Sequence, residues 1–360
     1  MTTHDFSFEG RLERASTLPS EWYTDPALLE REKEKVFSRT WQLVGRTEQV
    51  SAPGDYFTAT IGDEPIIVAR GADERLRAFS NVCRHRAGPV AAGEGRRKAF
   101  QCGYHGWSYA LDGRLLATPE FDGVECFSKE EVCLPRFKVE AWNGLVFVNL
   151  DTGSEPLEDV LEDLPRRVST RDMSGMRLAA RRDWYVDCNW KVYVDNYLEG
   201  YHIPLVHPSL NRELDYQQYR VETKRYYSIQ HSPIRRIEGG RIGKGDGANG
   251  DEAQYFWIFP NLMLNVYPDN YSTNLIVPLG PARTLTVFEW FFRDPNRSET
   301  QEALARTREF SDEIQIEDIR ICETVQRNLR SRTYRNGRYS VKRENGVHHF
   351  HSLLTDFLGR

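Results

Sequence analysis

The 360-residue chain has no apolar run approaching the roughly 20 residues that a membrane-spanning helix requires. Its opening, MTTHDFSFEGRLERAS, carries charges where a secretion signal needs an apolar stretch. Cysteine is scarce. The six (Cys83, Cys102, Cys126, Cys133, Cys188 and Cys322) are too few and too scattered for a disulfide framework in a chain this long, which predicts a reducing, cytoplasmic setting. A net charge of -5 leaves no basic excess of the kind that nucleic-acid binding proteins carry. Internal repeats are missing as well. The glycine-rich IEGGRIGKGDGANGD, residues 237–251, has G-x-G-x-x-G-like spacing but no strand–turn–helix context, so it reads as a mobile surface loop and not as a nucleotide cradle. What the chain does have, 39% apolar residues and 12% aromatics, is enough to bury a sizeable core, and its length suits two domains.

Asp25 to Arg39 has a helical pattern, with Leu28, Leu29, Val36 and Phe37 on one side and proline at the first position. Short β-rich runs broken by Pro53-Gly54 and Gly71 then extend to WNGLVFVNL near residue 150. The expected organisation is a helical segment over 1–41 packing on the catalytic domain, an all-β domain over 42–155, and an α+β domain over 156–360. In the last, helices are predicted at 187–201 and 299–330, flanking an antiparallel sheet built from strand-like runs between 215 and 294.

Residues 83–105 read CRHRAGPVAAGEGRRKAFQCGYH, a Cys-x-His pair and a Cys-x-x-His pair sixteen residues apart. Four such ligands on two loops suit zinc or an iron–sulfur centre, and ordinary loop residues are the third option. Structural zinc sites more often pair Cys-x-x-Cys with His-x3-His, whereas each half here offers one sulfur and one nitrogen. That suits a cluster in which one iron takes both cysteines and the other both histidines. Gly88, Pro89, Gly103 and Gly106 are residues that tight loops need, and Trp107 is placed to shield a cluster from water. The remaining four cysteines lack partners at ligand spacing and read as buried apolar fillers.

A second constellation is NYLEGYHIPLVHP, residues 196–208. Glu199 and His202, three apart, share a face on a helix, and Pro204 interrupts the helix so that His207 can turn back toward His202. On the long C-terminal helix Phe310, Ile314, Ile321, Val325 and Leu329 form an apolar stripe at about 100° per residue. Asp318 falls inside that stripe and Glu317 lies further off it. A core-facing carboxylate must be neutralised, paired (here with Arg320, for example) or bound to a cation. Two histidines and one carboxylate make the facial triad of non-haem Fe(II) oxygenases. His348, His349 and His351 of HHFH lack an accompanying cysteine or carboxylate pattern and read as packing and surface residues.

The first segment resembles a Rieske [2Fe–2S] domain. NWKVYVDNYLEGYHIPLVHP with IEDIRICETVQRNLRS resembles the catalytic domain of Rieske mononuclear-iron oxygenases, the terminal (alpha) subunits, and the likeness runs from residue 20 to the end. The resemblance implies a helix-grip (START-like) catalytic fold. It also implies Cys83 and Cys102 on one cluster iron, His85 and His105 on the other, and His202, His207 and Asp318 on a mononuclear Fe(II). Glu199 would then bridge the cluster histidine of one subunit to the iron histidine of the next in a homotrimer, with Asn196 and Trp107 as supporting residues. O2 is the implied co-substrate. No flavin or NAD(P)H signature is present, so electrons from NAD(P)H must arrive through a separate reductase of flavin or ferredoxin type.

Substrate class is read from smaller signs. Aromatic-ring dioxygenases of the family usually carry aspartate as the bridge, in a segment like ENFxGDxYH, where this chain has DNYLEGYH. The glutamate and the tail YRNGRYSVKRENGVHHFH resemble the oxygenases of quaternary ammonium compounds such as choline, glycine betaine, carnitine and proline betaine. Aromatic faces hold such cations, and Tyr197, Tyr201, Trp257, Tyr267, Phe288 and Trp290 are the candidates, with Tyr193 and Phe259 behind them. The alternatives are an aromatic-ring or aromatic-acid oxygenase and a stand-alone Rieske electron carrier. The carrier does not account for the second constellation.

Overall fold

The computed structural model describes residues 7–235, 242 and 252–359. The glycine-rich segment 237–251 therefore lies outside the described residues, Ile242 excepted. The chain divides into two compact units, one of residues 33–157 and one of residues 1–32 with 158–360. Two short helices, α1 (Glu21–Thr24) and α2 (Pro26–Glu32), precede the first unit. The helix predicted over 25–39 is regular only as far as Glu32, and Lys33–Phe37 continues it as a π-helical turn.

The unit of residues 33–157 is all β. Its strands are β1 (Gln42–Arg46), β2 (Asp55–Ile61), β3 (Glu64–Arg70), β4 (Leu76–Ser80), β5 (Glu94–Arg96), β6 (Ala99–Gln101), β7 (Ser108–Ala110), β8 (Leu115–Ala117), β9 (Arg136–Trp142) and β10 (Leu145–Asn149). Seven form a sheet in the order β1-β10-β9-β4-β3-β2-β5, and β6-β7-β8 form a small second sheet. The core between them holds Ile67, Phe79, Phe100 and Tyr109 around Cys83 and Cys102. Both ligand loops hang from this core, one after β4 and the other in the β6–β7 turn. Of the four cysteines expected as buried fillers, Cys188 and Cys322 are buried but Cys126 and Cys133 are exposed. Cys126 sits at φ 56° in a loop, and Cys133 makes only an isolated bridge to Arg114, so neither belongs to an element with a buried face.

The larger unit opens with α3 (Leu157–Leu161) and α4 (Leu164–Arg167), then β11 (Arg177–Val186), α5 (Trp190–Tyr197), α6 (Ile203–Val206) and α7 (Pro208–Glu213). The strands β12 (Arg220–Thr223), β13 (Tyr227–Pro233), β14 (Glu252–Ile258), β15 (Leu262–Val266), β16 (Tyr271–Gly280) and β17 (Arg283–Phe292) follow, then α8 (Ser298–Asn328) and α9 (Asn345–Gly359). The sheet is antiparallel throughout, ordered β11-β17-β16-β15-β14-β13-β12. Side chains alternate between faces along a strand. Register therefore lines up Gln230, Tyr255, Asn265, Ser272 and Trp290 as one row across five strands.

Helix α5 is shorter than the span predicted over 187–201. Asn189 caps its start by accepting the Lys191 N–H at 3.0 Å, and it ends at Tyr197. Behind it Lys191 and Glu32 form a fully buried ion pair at 2.5 Å, and Trp190 donates to the same Glu32 at 2.7 Å. Helix α8 packs on α5 and β11. Its buried side differs from the predicted apolar stripe: Leu304, Phe310, Gln315, Cys322 and Gln326 are buried, while Ile321 and Val325 are exposed. Two glutamines hold this seam by hydrogen bonds, Gln315 to Tyr193 Oη and Gln326 to the Asn189 N–H. A pattern of apolar residues alone passes over such positions.

Candidate metal centres

Cys83 and Cys102 are buried and carry free thiols. Backbone bonds close both loops: Cys83 N–H to Gly88 O at 2.8 Å, and Cys102 N–H to Trp107 O at 2.9 Å. A Cβ on Gly88 would lie 2.8 Å from Cys102 Sγ, so the close approach requires glycine. The rings of His85 and His105 lie 4.6 Å apart, and Trp107 stacks on His85 at 4.9 Å. His85 Nδ1 is buried with no hydrogen-bond partner, an orphan atom that a metal bond would satisfy. Two buried thiols and two neighbouring imidazoles suit a two-iron cluster that takes sulfur at one iron and nitrogen at the other. Tyr109 Oη lies 3.3 Å from Cys83 Sγ and accepts the Arg84 N–H at 2.9 Å.

In the larger unit His202 and His207 bring their Nε2 atoms to 3.2 Å, and Asp318 Oδ1 lies 3.0 Å from His207 Nε2 and 3.7 Å from His202 Nε2. Metal bonds of about 2.1 Å at right angles set ligand atoms about 3 Å apart, so the trio suits one octahedral face. The proton inventory agrees. His202 Nδ1 is 2.5 Å from Glu199 Oε1 and His207 Nδ1 is 2.7 Å from Glu317 Oε2. With both Nδ1–H groups donating to carboxylates, two Nε2 lone pairs and a carboxylate oxygen face each other, and a cation between them resolves the repulsion. Burial opposes charge on His207, but Asp318 and Glu317 outweigh it and raise its pKa, a mark of local negative potential.

The local chain path differs from the helical picture. Glu199 and His202 lie in the turn after α5, where Glu199 Oε2 accepts the backbone N–H groups of Tyr201 and, at 3.1 Å, His202. Pro204 stands near the start of α6 and begins a helix where an interruption was expected; the break comes at His207, with φ -119° and ψ 71°. Arg320 is exposed, and the ion-pair partners of Asp318 are the two histidines. Asn196 Nδ2 donates to Asp318 Oδ1 at 2.6 Å.

A cavity of about 180 Å³ opens beside this trio. Tyr193, Tyr197, Tyr267, Phe288 and Trp290 of the candidate aromatics line it, joined by Tyr219 and Tyr255, which the sequence reading did not name, and by Phe310, which it placed only on the apolar stripe of the long helix. Tyr201 and Trp257 do not line it. Tyr201 is 57% exposed, beyond the end of α5. Trp257 shares the sheet face of Tyr255, but it is packed under Phe350 and His349 of α9 and donates to Pro260 O. The alternation that carries Trp257 to the right face also carries Tyr255, so the period-2 pattern was the available signal for the missed tyrosine.

A β domain with two loops that each carry a cysteine and a histidine, joined in one chain to a helix-gripped sheet holding a His-His-Asp face, is the make-up of a Rieske-type mononuclear iron oxygenase. Residues 40–128 match the Rieske [2Fe-2S] domain, and residues 174–360 match the ring hydroxylating alpha subunit (catalytic domain). The chain belongs to the ring-hydroxylating alpha subunit family of Rieske oxygenases. It is 38% identical to a chloroplastic choline monooxygenase of Arabidopsis thaliana, over 95% of this chain and 83% of that one. It is 33% identical to the carnitine monooxygenase oxygenase subunit of Escherichia coli K12, over 95% and 94%. A solved quaternary ammonium Rieske monooxygenase superposes with a TM-score of 0.85 at 32% identity, covering 95% of each chain. Naphthalene 1,2-dioxygenase from Rhodococcus, at 19% identity and a TM-score of 0.81, shares the fold. The protein is an oxidoreductase that incorporates O2, with a Rieske cluster and a mononuclear iron as cofactors. As an alpha subunit of this family it acts as an oligomer with a reductase partner. Among the described residues no helix is long and apolar enough to cross a membrane.

Proposed function

We propose that this chain is the terminal oxygenase that hydroxylates or N-demethylates a small quaternary ammonium substrate. The observation that carries the substrate class is the cavity beside His202, His207 and Asp318, walled by Tyr197, Tyr219, Tyr255, Tyr267, Phe288 and Trp290. Aromatic faces attract a desolvated cation by about 2 kcal/mol or more each. No lysine or arginine is found among its described lining residues. The similarity to choline and carnitine monooxygenases supports the same class.

Cys83, His85, Cys102 and His105 hold the cluster in this proposal, and His202, His207 and Asp318 the iron. When bound, the cluster supplies single electrons and the ferrous ion binds and activates O2. The chain's own residues supply the rest. Glu199 holds the Nδ1 proton of His202, Asn196 orients Asp318, and the aromatic walls exclude water and seat the cation. Substrate, O2, two electrons and two protons give hydroxylated substrate and water. Hydroxylation of an N-methyl group leaves an N-hydroxymethyl that breaks down to amine and formaldehyde.

The oligomer proposed is a homotrimer in the cytoplasm, served by a flavin- or ferredoxin-type reductase that draws on NAD(P)H. Glu199 then links His202 to His85 or His105 of the neighbouring copy, since its carboxylate has lone pairs beyond those its own chain engages. The test is substrate-dependent O2 uptake with a surrogate reductase across quaternary amines and aromatic acids. Coupled uptake with a quaternary amine, with or without formaldehyde, is expected. Uptake only with aromatic substrates, giving cis-diols, overturns the assignment.

A further inference from the structure

His207 is the most enclosed member of the trio, 1% exposed, and both of its ring nitrogens meet carboxylates from α8. Asp318 Oδ1 is 3.0 Å from Nε2 and Glu317 Oε2 is 2.7 Å from Nδ1. Successive residues on a helix point about 100° apart, so two neighbouring acids can reach opposite edges of one imidazole. Helix α8 grips the ring on both sides. His207 itself sits at a non-helical junction between α6 and α7, where its backbone leaves the ring's orientation to its partners.

We infer that Glu317 is the positioning residue of His207. It accepts the Nδ1 proton, fixes the tautomer that leaves the Nε2 lone pair for the metal, and sets the ring plane relative to Asp318. Glu199 does the same for His202, but that residue also caps a turn by accepting two backbone N–H groups. Glu317 is the dedicated counterpart on the buried histidine. The inference rests on His202, His207 and Asp318 being the metal ligands.

The test uses full-length enzyme with its cluster retained and its mononuclear site emptied by chelation. Co(II) is titrated in and followed by its visible ligand-field bands, with the cluster absorption reporting that the fold is intact. Binding to the parent protein checks the ligand set separately: no Co(II) site there means that the metal-site assignment fails, whatever Glu317 does. Loss of an outer partner of a ligating histidine costs about 10–100-fold in metal affinity. Glu317→Ala is expected to weaken Co(II) binding by about that factor and to shift the bands, which a loss of stability alone does not do. Glu317→Gln keeps an acceptor oxygen and is expected to recover most of the affinity. Should the alanine variant lose its cluster, Glu317→Asp decides, since it keeps the charge but its shorter side chain withdraws the acceptor from Nδ1: weakened Co(II) binding with shifted bands supports the inference, and parental binding and bands overturn it. Parental affinity and bands in both the alanine and the glutamine variants overturn the inference. So does a loss in alanine with no recovery in glutamine, which assigns the effect to charge and not to hydrogen-bond geometry.

Discussion

Asn196 donates its carboxamide N–H to Asp318 Oδ1 at 2.6 Å, joining the end of α5 to α8 across 122 residues of sequence. The bond fixes the carboxylate oxygen that also lies 3.0 Å from His207 Nε2, so the stretch bearing Glu199, His202 and His207 is tied to the third proposed ligand.

Replacing Asn196 with alanine frees that oxygen. A hydrogen bond to a charged group contributes about 1.5–3 kcal/mol, so mononuclear iron affinity should fall about tenfold or more while the cluster spectrum stays parental. Metal analysis after dialysis against a weak chelator reads the effect. Unchanged iron retention in the alanine variant contradicts it.

Glu199→Gln is expected to keep both metal sites loaded and to slow turnover by an order of magnitude or more, because the proposed role lies between centres and not in ligation. Iron and sulfide analysis alongside steady-state rates separates the two. Loss of the mononuclear iron sinks the bridging role.

The aromatic walls should govern affinity for a cationic substrate. At about 0.5–2 kcal/mol for each cation–π contact, Trp290→Ala or Tyr267→Ala should raise KM about 3–30-fold. A neutral isostere of the substrate, in which carbon replaces the quaternary nitrogen, should lose affinity against the parent enzyme and much less against these variants. Equal effects on the charged and neutral compounds argue for simple shape.

Lys191 and Glu32 are both fully buried, and Trp190 shares the glutamate. Lys191→Met strands the Glu32 carboxylate and should cost about 3–5 kcal/mol of stability. Adding Glu32→Gln removes the second charge while leaving Trp190 an acceptor, and should restore most of the loss. Denaturant midpoints of the single and double variants make the comparison.

His349, mostly buried beside Trp257, has its pKa pushed down to about 4, chiefly by burial and further by neighbouring His348. Unfolded, an imidazole takes its proton near pH 6.5. Between those values the unfolded chain binds the extra proton, so this group's contribution to stability falls as pH drops from about 6.5 to 4, by on the order of 3 kcal/mol in total. His349→Phe should flatten the stability profile in that window. An unchanged slope contradicts the assignment.

The candidate ligand residues were readable because their chemistry is local: Cys-x-His, Cys-x-x-His and a paired histidine motif stand out by residue type and spacing. The same holds for alternating strands such as EAQYFWI, whose period places Tyr255 and Trp257 on one face. The errors fell where neighbours outside the segment decide the outcome. Gln315 and Gln326 occupy the buried seam of α8 because Tyr193 and Asn189 satisfy them, which no periodicity of apolar residues registers. Glu317 lay off the predicted stripe and still reaches His207, because a glutamate side chain spans the gap that its helical angle opens.

By itself the sequence marked two sets of candidate metal ligands and a division into a β domain and a helix–sheet domain, since both follow from short-range patterns; the class of oxygenase came from the family resemblance that those motifs carry. Tertiary structure decided which aromatics line the cavity, which acid serves which histidine, and that Asp318 meets two histidines more than a hundred residues away. Those outcomes depend on strand register and on helices packing across the sheet. Long-range burial and hydrogen bonding set both, and neither leaves a mark within the span of a sequence motif.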